Sequence, residues 1–135
     1  MRARNLCIFI FSILSFISLA QLPDGPYLGQ EPPGSEPEIF AQGIISLVNR
    51  RETKIVFSPD GQECLIGLAT GGAFKIFYIK QENGHWTEPK SADFLGNQDA
   101  REPFFFPDSN KIFFIRNADI WMCTRSNQTW ATPLI

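Results

Sequence analysis

Beyond residue 20 the chain alternates short apolar runs with tight polar breaks, and one such arrangement occurs twice. Ile55-Val56-Phe57 stops at Ser58-Pro59-Asp60-Gly61-Gln62 and resumes as Cys64-Leu65-Ile66; Phe104-Phe105-Phe106 stops at Pro107-Asp108-Ser109-Asn110 and resumes as Ile112-Phe113-Phe114-Ile115. Apolar runs of this length, broken by a proline that presets one backbone angle and an Asp-Gly or Asp-Ser pair that tolerates turn geometry, predict two strands joined by a tight turn. A second matched segment follows each copy. Ile76-Phe77-Tyr78-Ile79 with Trp86 and Pro89 corresponds to Ile120-Trp121-Met122-Cys123 with Trp130 and Pro133.

The first copy predicts strands over Lys54 to Ser58, Glu63 to Leu68, Phe74 to Gln81 and His85 to Glu88, with the last two joined at Asn83-Gly84. The second predicts Glu102 to Phe106, Lys111 to Arg116, Asp119 to Arg125 and a fourth strand starting at Thr129 to Ala131. Aligning the turns gives an offset of 48, Phe57 onto Phe105, whereas aligning the tryptophans gives 44, Trp86 onto Trp130. The difference is assigned to the loop between second and third strands, Ala69 to Ala73 in one copy and Asn117-Ala118 in the other. Successive residues of a strand face opposite ways, so unbroken apolar strands must be covered on both faces. Four-stranded antiparallel units recurring at this period, covered on both sides, predict blades of a β-propeller. The fold class is therefore all-β, with about two blades, 52–90 and 101–135. Before them, Ile39 to Val48 reads as a strand bent at Gly43, and 21–38, rich in Pro, Gly and Glu, as an extended leader.

Residues 1–20 have a different character. Arg2 and Arg4 precede an apolar run from Leu6 to Ala20 that ends in Ser18-Leu19-Ala20, the pattern of a signal peptide cleaved after Ala20. Export to the periplasm or cell exterior follows, with no membrane association after cleavage. Of 12 Lys and Arg, loss of Arg2 and Arg4 leaves 10 against 14 acidic residues, a balance that disfavours nucleic acid and anionic membrane partners. Cys7 leaves with the signal. Cys64 and Cys123 could pair in an oxidising compartment, but they fall at different places in the repeat, which favours two buried thiols.

Catalytic chemistry finds no constellation. The single histidine, His85, lies beside a hairpin turn, and there is no Gly-x-Ser-x-Gly elbow, no Cys-x-x-Cys pair and no phosphate-binding glycine loop. No catalytic residue, metal site or cofactor is therefore expected. Asp60 and Asp108 are read as turn formers rather than calcium ligands, and Trp86 and Trp130 as packing residues rather than sugar platforms. The polar connection Ser91 to Arg101 differs most from packing sequence, and Asn97, Gln98, Asp99, Arg101 and Glu102 are the candidates for contact with a ligand or partner.

The Phe57-Ser58-Pro59-Asp60-Gly61 turn, the Glu102 to Asp108 run and the Asn83 to Pro89 segment resemble the TolB-like, WD40-like β-propeller repeats of exported bacterial proteins. The Tyr27 to Gly34 leader, with Pro37 to Ala41, is similar to the start of one subgroup. Ser109 departs from the glycine the family prefers. The resemblance implies a ring of about six blades, of which two units are a third. The chain is thus expected to be the N-terminal part of a longer propeller, or a unit that closes a ring as a homotrimer. Its expected function is non-catalytic binding of a protein or small ligand, or scaffolding. The alternative is the propeller portion of a serine peptidase of the prolyl oligopeptidase type.

Overall fold

The computed structural model describes residues 22–96 and 98–135. Residues 1–21, on which the expected signal peptide falls, and Asn97 lie outside the described residues. The fold is all-β. Strands β1 (Arg51–Phe57), β2 (Glu63–Thr70), β3 (Ala73–Glu82) and β4 (His85–Trp86) form an antiparallel meander, with β5 (Lys90–Ser91) also pairing with β3. Strands β6 (Arg101–Phe105), β7 (Lys111–Arg116), β8 (Asp119–Ser126) and β9 (Thr129–Trp130) form a second antiparallel sheet in the same order.

The first turns of the two sheets carry matching hydrogen bonds. Ser58 N donates to Glu63 O at 2.8 Å and Gln81 N to Gln62 O at 2.8 Å; their counterparts Phe106 N to Lys111 O and Arg125 N to Asn110 O are both 2.8 Å. The Tyr78↔Lys90 pairing is matched by the Met122↔Leu134 bridge. Gly61 and Ser109 hold the same turn position at φ 70° and 58°. Glycine enters that region without a Cβ penalty, whereas Ser109 must bear one.

Three expectations are corrected. The four-residue length difference is not in a loop: both connections are two-residue turns, Gly71-Gly72 and Asn117-Ala118. The first hairpin instead extends further, from Glu63↔Lys80 to Thr70↔Ala73, where the second runs only from Lys111↔Thr124 to Arg116↔Asp119. Residues 39–48 do not form a strand. Positive φ at Ala41 (47°) and Gly43 (80°) curls the segment, and Ala41 O accepts from the N–H groups of Ile44, Ile45 and Ser46. Its apolar character serves burial, with Ala41 and Ile45 in the core. The 21–38 leader is likewise packed: Leu28 is fully buried in a 3-10 turn, Pro26–Gly29, and Gly25 O accepts from Gln81 Nε2 and Trp86 Nε1, both at 2.8 Å.

Two apolar layers result. One face of the first sheet, with Cys64, Ile66, Ile79 and Trp86, is covered by Leu28, Ala41 and Ile45. Its other face, with Leu65, Ile76, Val56 and Tyr78, packs on Phe105, Ile112, Phe114 and Cys123 of the second sheet. The expected polar linker closes this layer through buried Ala92, Leu95 and Ala100. Cys64 and Cys123 are free, buried thiols, and desolvation pushes them up to about 12 and about 11.

In the first turn, Asp60 Oδ1 accepts from Ser58 Oγ at 2.5 Å and from Gln62 N at 3.1 Å. The Ser58 hydroxyl, seconded by that amide, holds the carboxyl below its ordinary value despite some burial. A depressed carboxylate adds stability that is present above its ordinary range and lost as pH falls through its lowered value. Asp60→Asn is therefore expected to flatten the acid limb of a Tm-against-pH curve below about pH 4. An acid limb identical to wild type would exclude this carboxylate as its source.

Candidate functional site

Each sheet's first strand begins with a bulge. The β1–β2 register shifts between Glu52 and Lys54, and the β6–β7 register between Arg101 and Phe104. An extra residue bends a strand and re-aims its side chains. Here the bends lie side by side where the sheets meet and open a cleft of about 460 Å³ lined by Arg51, Glu52, Thr53, Phe74, Arg101, Glu102 and Ile115. Glu102 itself sits at φ 52°, strained for a residue with a side chain.

The charges in this cleft are unevenly compensated. Glu52 Oε1 accepts from Arg50 Nε at 2.5 Å. Partial burial pushes its carboxyl up, but Arg50 and nearby backbone amides outweigh that and hold it below its ordinary value. Glu102 Oε2 lies 3.7 Å from Lys54 Nζ. Both carboxylates are thus matched by cations from outside the lining. Arg51 and Arg101, by contrast, have no carboxylate partner among the described residues. The Arg101 guanidinium instead lies over the Phe74 ring, 5.4 Å from its centroid. Thr53 Oγ1 is shielded from solvent and has no hydrogen-bond partner. Two guanidiniums and an aromatic ring suit a small ligand with an anionic group, because guanidinium presents paired N–H donors to carboxylate or phosphate.

The sequence-predicted residues divide. Arg101 and Glu102 line the cleft. Asp99 is exposed, but its carboxylate accepts from Phe74 N, so it anchors the connection to β3. Gln98 lines a separate hollow of about 210 Å³ beside β5. Asn97 lies outside the described residues. Arg51, Thr53 and Phe74 carried no signal individually; Thr53 and Arg101 do share a repeat position, which a comparison of the two units beyond the turn motif could have exposed. A wider hollow of about 960 Å³ beside Tyr27 and Phe57 is walled mainly by the Pro-rich 29–40 segment itself. Asp60 and Asp108 serve their own turns, Asp108 Oδ1 accepting from Asn110 N at 2.9 Å. Trp86 is buried, and Trp130 stacks on Phe94 with centroids 5.4 Å apart. His85 Nδ1 lies 2.8 Å from Asp24 Oδ1. Among the described residues no cluster of His, Cys, Asp or Glu is arranged to hold a metal, and no helix is long and apolar enough to cross a membrane.

Fold and cleft together define an all-β protein of two stacked, duplicated antiparallel sheets with an opening between them lined by two arginines and two glutamates. Compared with family models, curated proteins and solved structures, the chain matches none.

Proposed function

We propose that the chain is a non-catalytic, exported binding module of β-propeller type. In this reading the two sheets are successive blades of the TolB-like kind and the cleft between them takes a small ligand or partner side chain bearing an anionic group. The observation that carries it is the charge balance of the cleft: Glu52 and Glu102 are matched from outside, while Arg51 and Arg101 are not. The duplicated turns and the face-to-face packing of equivalent sheets support the propeller class.

The test is an NMR titration of the chain from Gln21 to Ile135 with sodium acetate and, separately, inorganic phosphate, following the arginine Nε–H and backbone amide signals. Saturable shifts at Arg51, Thr53, Phe74 and Arg101 are expected, and their loss in Arg51→Ala/Arg101→Ala. Shifts that never saturate, or that survive the double substitution, would overturn the reading. The stronger of the two anions identifies the ligand group.

A further inference from the structure

The duplication gives each sheet two distinct apolar faces. The leading face carries Phe57, Cys64, Ile66 and Ile79 in the first sheet and, at the same repeat positions, Phe105, Ile112, Phe114 and Cys123 in the second. The trailing face carries Val56, Leu65, Ile76 and Tyr78 in the first, and Phe104, Phe113, Ile120 and Met122 in the second. Within the molecule the trailing face of the first sheet is buried on the leading face of the second. The trailing face of the second sheet carries the same apolar pattern but is open, with Phe104 49 % and Ile120 68 % exposed and Leu134, paired beside Met122, 65 % exposed. An apolar surface this continuous marks an interaction site.

Its complement is a leading face, and the chain has a second one. The leading face of the first sheet is covered not by a sheet but by the N-terminal segment, with Leu28, Ala41 and Ile45 against Cys64, Ile66 and Ile79. This cover is a separate segment seated on the sheet by Leu28, Ala41 and Ile45 and by the Tyr27 and Phe40 rings against Phe57, and it adds no strand to that sheet. Gly25 O takes one bond each from Gln81 and Trp86, Asp24 meets His85, and Tyr27 and Leu28 sit at φ 52° and 61°, where side chains are disfavoured. We propose that residues 22–45 are a removable cap, and that the open face of the second sheet docks the first-sheet leading face of a second copy of this chain when that cap lifts. Association is then head to tail and repeats the interface already present inside each molecule.

The polar positions agree. Glu63 and Arg125 form an ion pair across the internal interface, and their repeat counterparts are Lys111 and Gln81. Across two copies a lysine would face a glutamine amide oxygen, with no like charges opposed. Gln81 is one of the groups that holds the cap. Such a contact is heterologous, so it extends into a chain of subunits unless its rotation closes a ring. It rests on the repeat equivalence and not on the anion cleft, so it stands or fails separately from the ligand reading.

The test is sedimentation velocity over a concentration series, with circular dichroism to confirm folding, on the Gln21 to Ile135 chain and three variants. Leu28→Asp removes the buried anchor of the cap; Gln81→Leu/Trp86→Phe removes both bonds to Gly25 O more gently; Leu28→Asp/Ile120→Lys also blocks the open face. Wild type is expected to sediment mainly as monomer, and both cap variants as species of two or more chains that grow with concentration. Ile120→Lys is expected to return Leu28→Asp to monomer, with Cys64 at least about tenfold more reactive to a thiol reagent than in wild type, since reactivity follows local opening. Folded, monomeric cap variants would overturn the proposal, as would oligomers that persist with Ile120→Lys. If Leu28→Asp does not fold, the gentler pair, with and without Ile120→Lys, decides by the same criteria.

Discussion

Phe114→Ala is expected to cost about 3–5 kcal/mol of folding stability and to lower Tm by more than about 10 °C. Phe114 is 1 % exposed and lies in the layer shared by both sheets, against the face that carries Leu65 and Ile76. Truncation leaves a void that close-packed neighbours cannot collapse to fill. Because the layer belongs to both sheets, unfolding should stay a single transition in which fluorescence and far-ultraviolet circular dichroism shift together. Phe113→Ala is the control. Phe113 is the next residue on β7 and pairs with Phe104 and Met122 on the open face, so its loss should cost about half as much or less. Equal costs for the two substitutions would show that the assignment of buried and open faces is wrong.

Arg125→Met should be the other severe change, at about 3 kcal/mol or more. Arg125 Nη1 pairs with Glu63 Oε1, with side chains only 11 % and 13 % exposed, and Arg125 Nη2 donates to Ser109 O at 2.6 Å. The guanidinium also lies 4.6 Å from the Trp130 ring centroid. Burial, reinforced by the facing Glu63 carboxylate, pushes the Tyr78 hydroxyl well up. Removing the arginine leaves a carboxylate in that seam without its partner, which costs more than the intact pair contributes. Glu63→Gln added to Arg125→Met should therefore recover a large part of the loss. A double variant no more stable than the single one, by urea denaturation at neutral pH, would show that the deficit is lost packing on Trp130 instead.

The candidate site was partly legible in sequence. Arg101 and Glu102 stood out because a polar connection interrupts apolar repeats, and both line the cleft. Asp99 stood out for the same reason, yet its carboxylate serves the Phe74 amide. Polarity alone does not separate a side chain that faces a ligand from one that satisfies backbone. Arg51 and Phe74 were invisible because the cleft exists only where two bulged strands from different sheets meet. Nothing local to either residue records that meeting.

What the sequence determined by itself was set by local chemistry. The Pro-Asp-Gly and Pro-Asp-Ser turns, the Asn83-Gly84 hairpin and the period of the apolar runs dictate strands and their order, because turn geometry and side-chain alternation act over a few residues. The need for cover on both faces was readable too, from unbroken runs such as Ile112-Phe113-Phe114-Ile115. What covers each face was not. That Leu28, in a stretch rich in Pro and Gly, fills the leading face of the first sheet was decided by tertiary packing, as was the curl of residues 39–48 onto the same face. The pairing of Glu63 with Arg125 across 62 residues belongs there as well. Burial of apolar area is non-directional, so it specifies that a face is covered and leaves the identity of the cover to whichever segment the folded chain brings within reach.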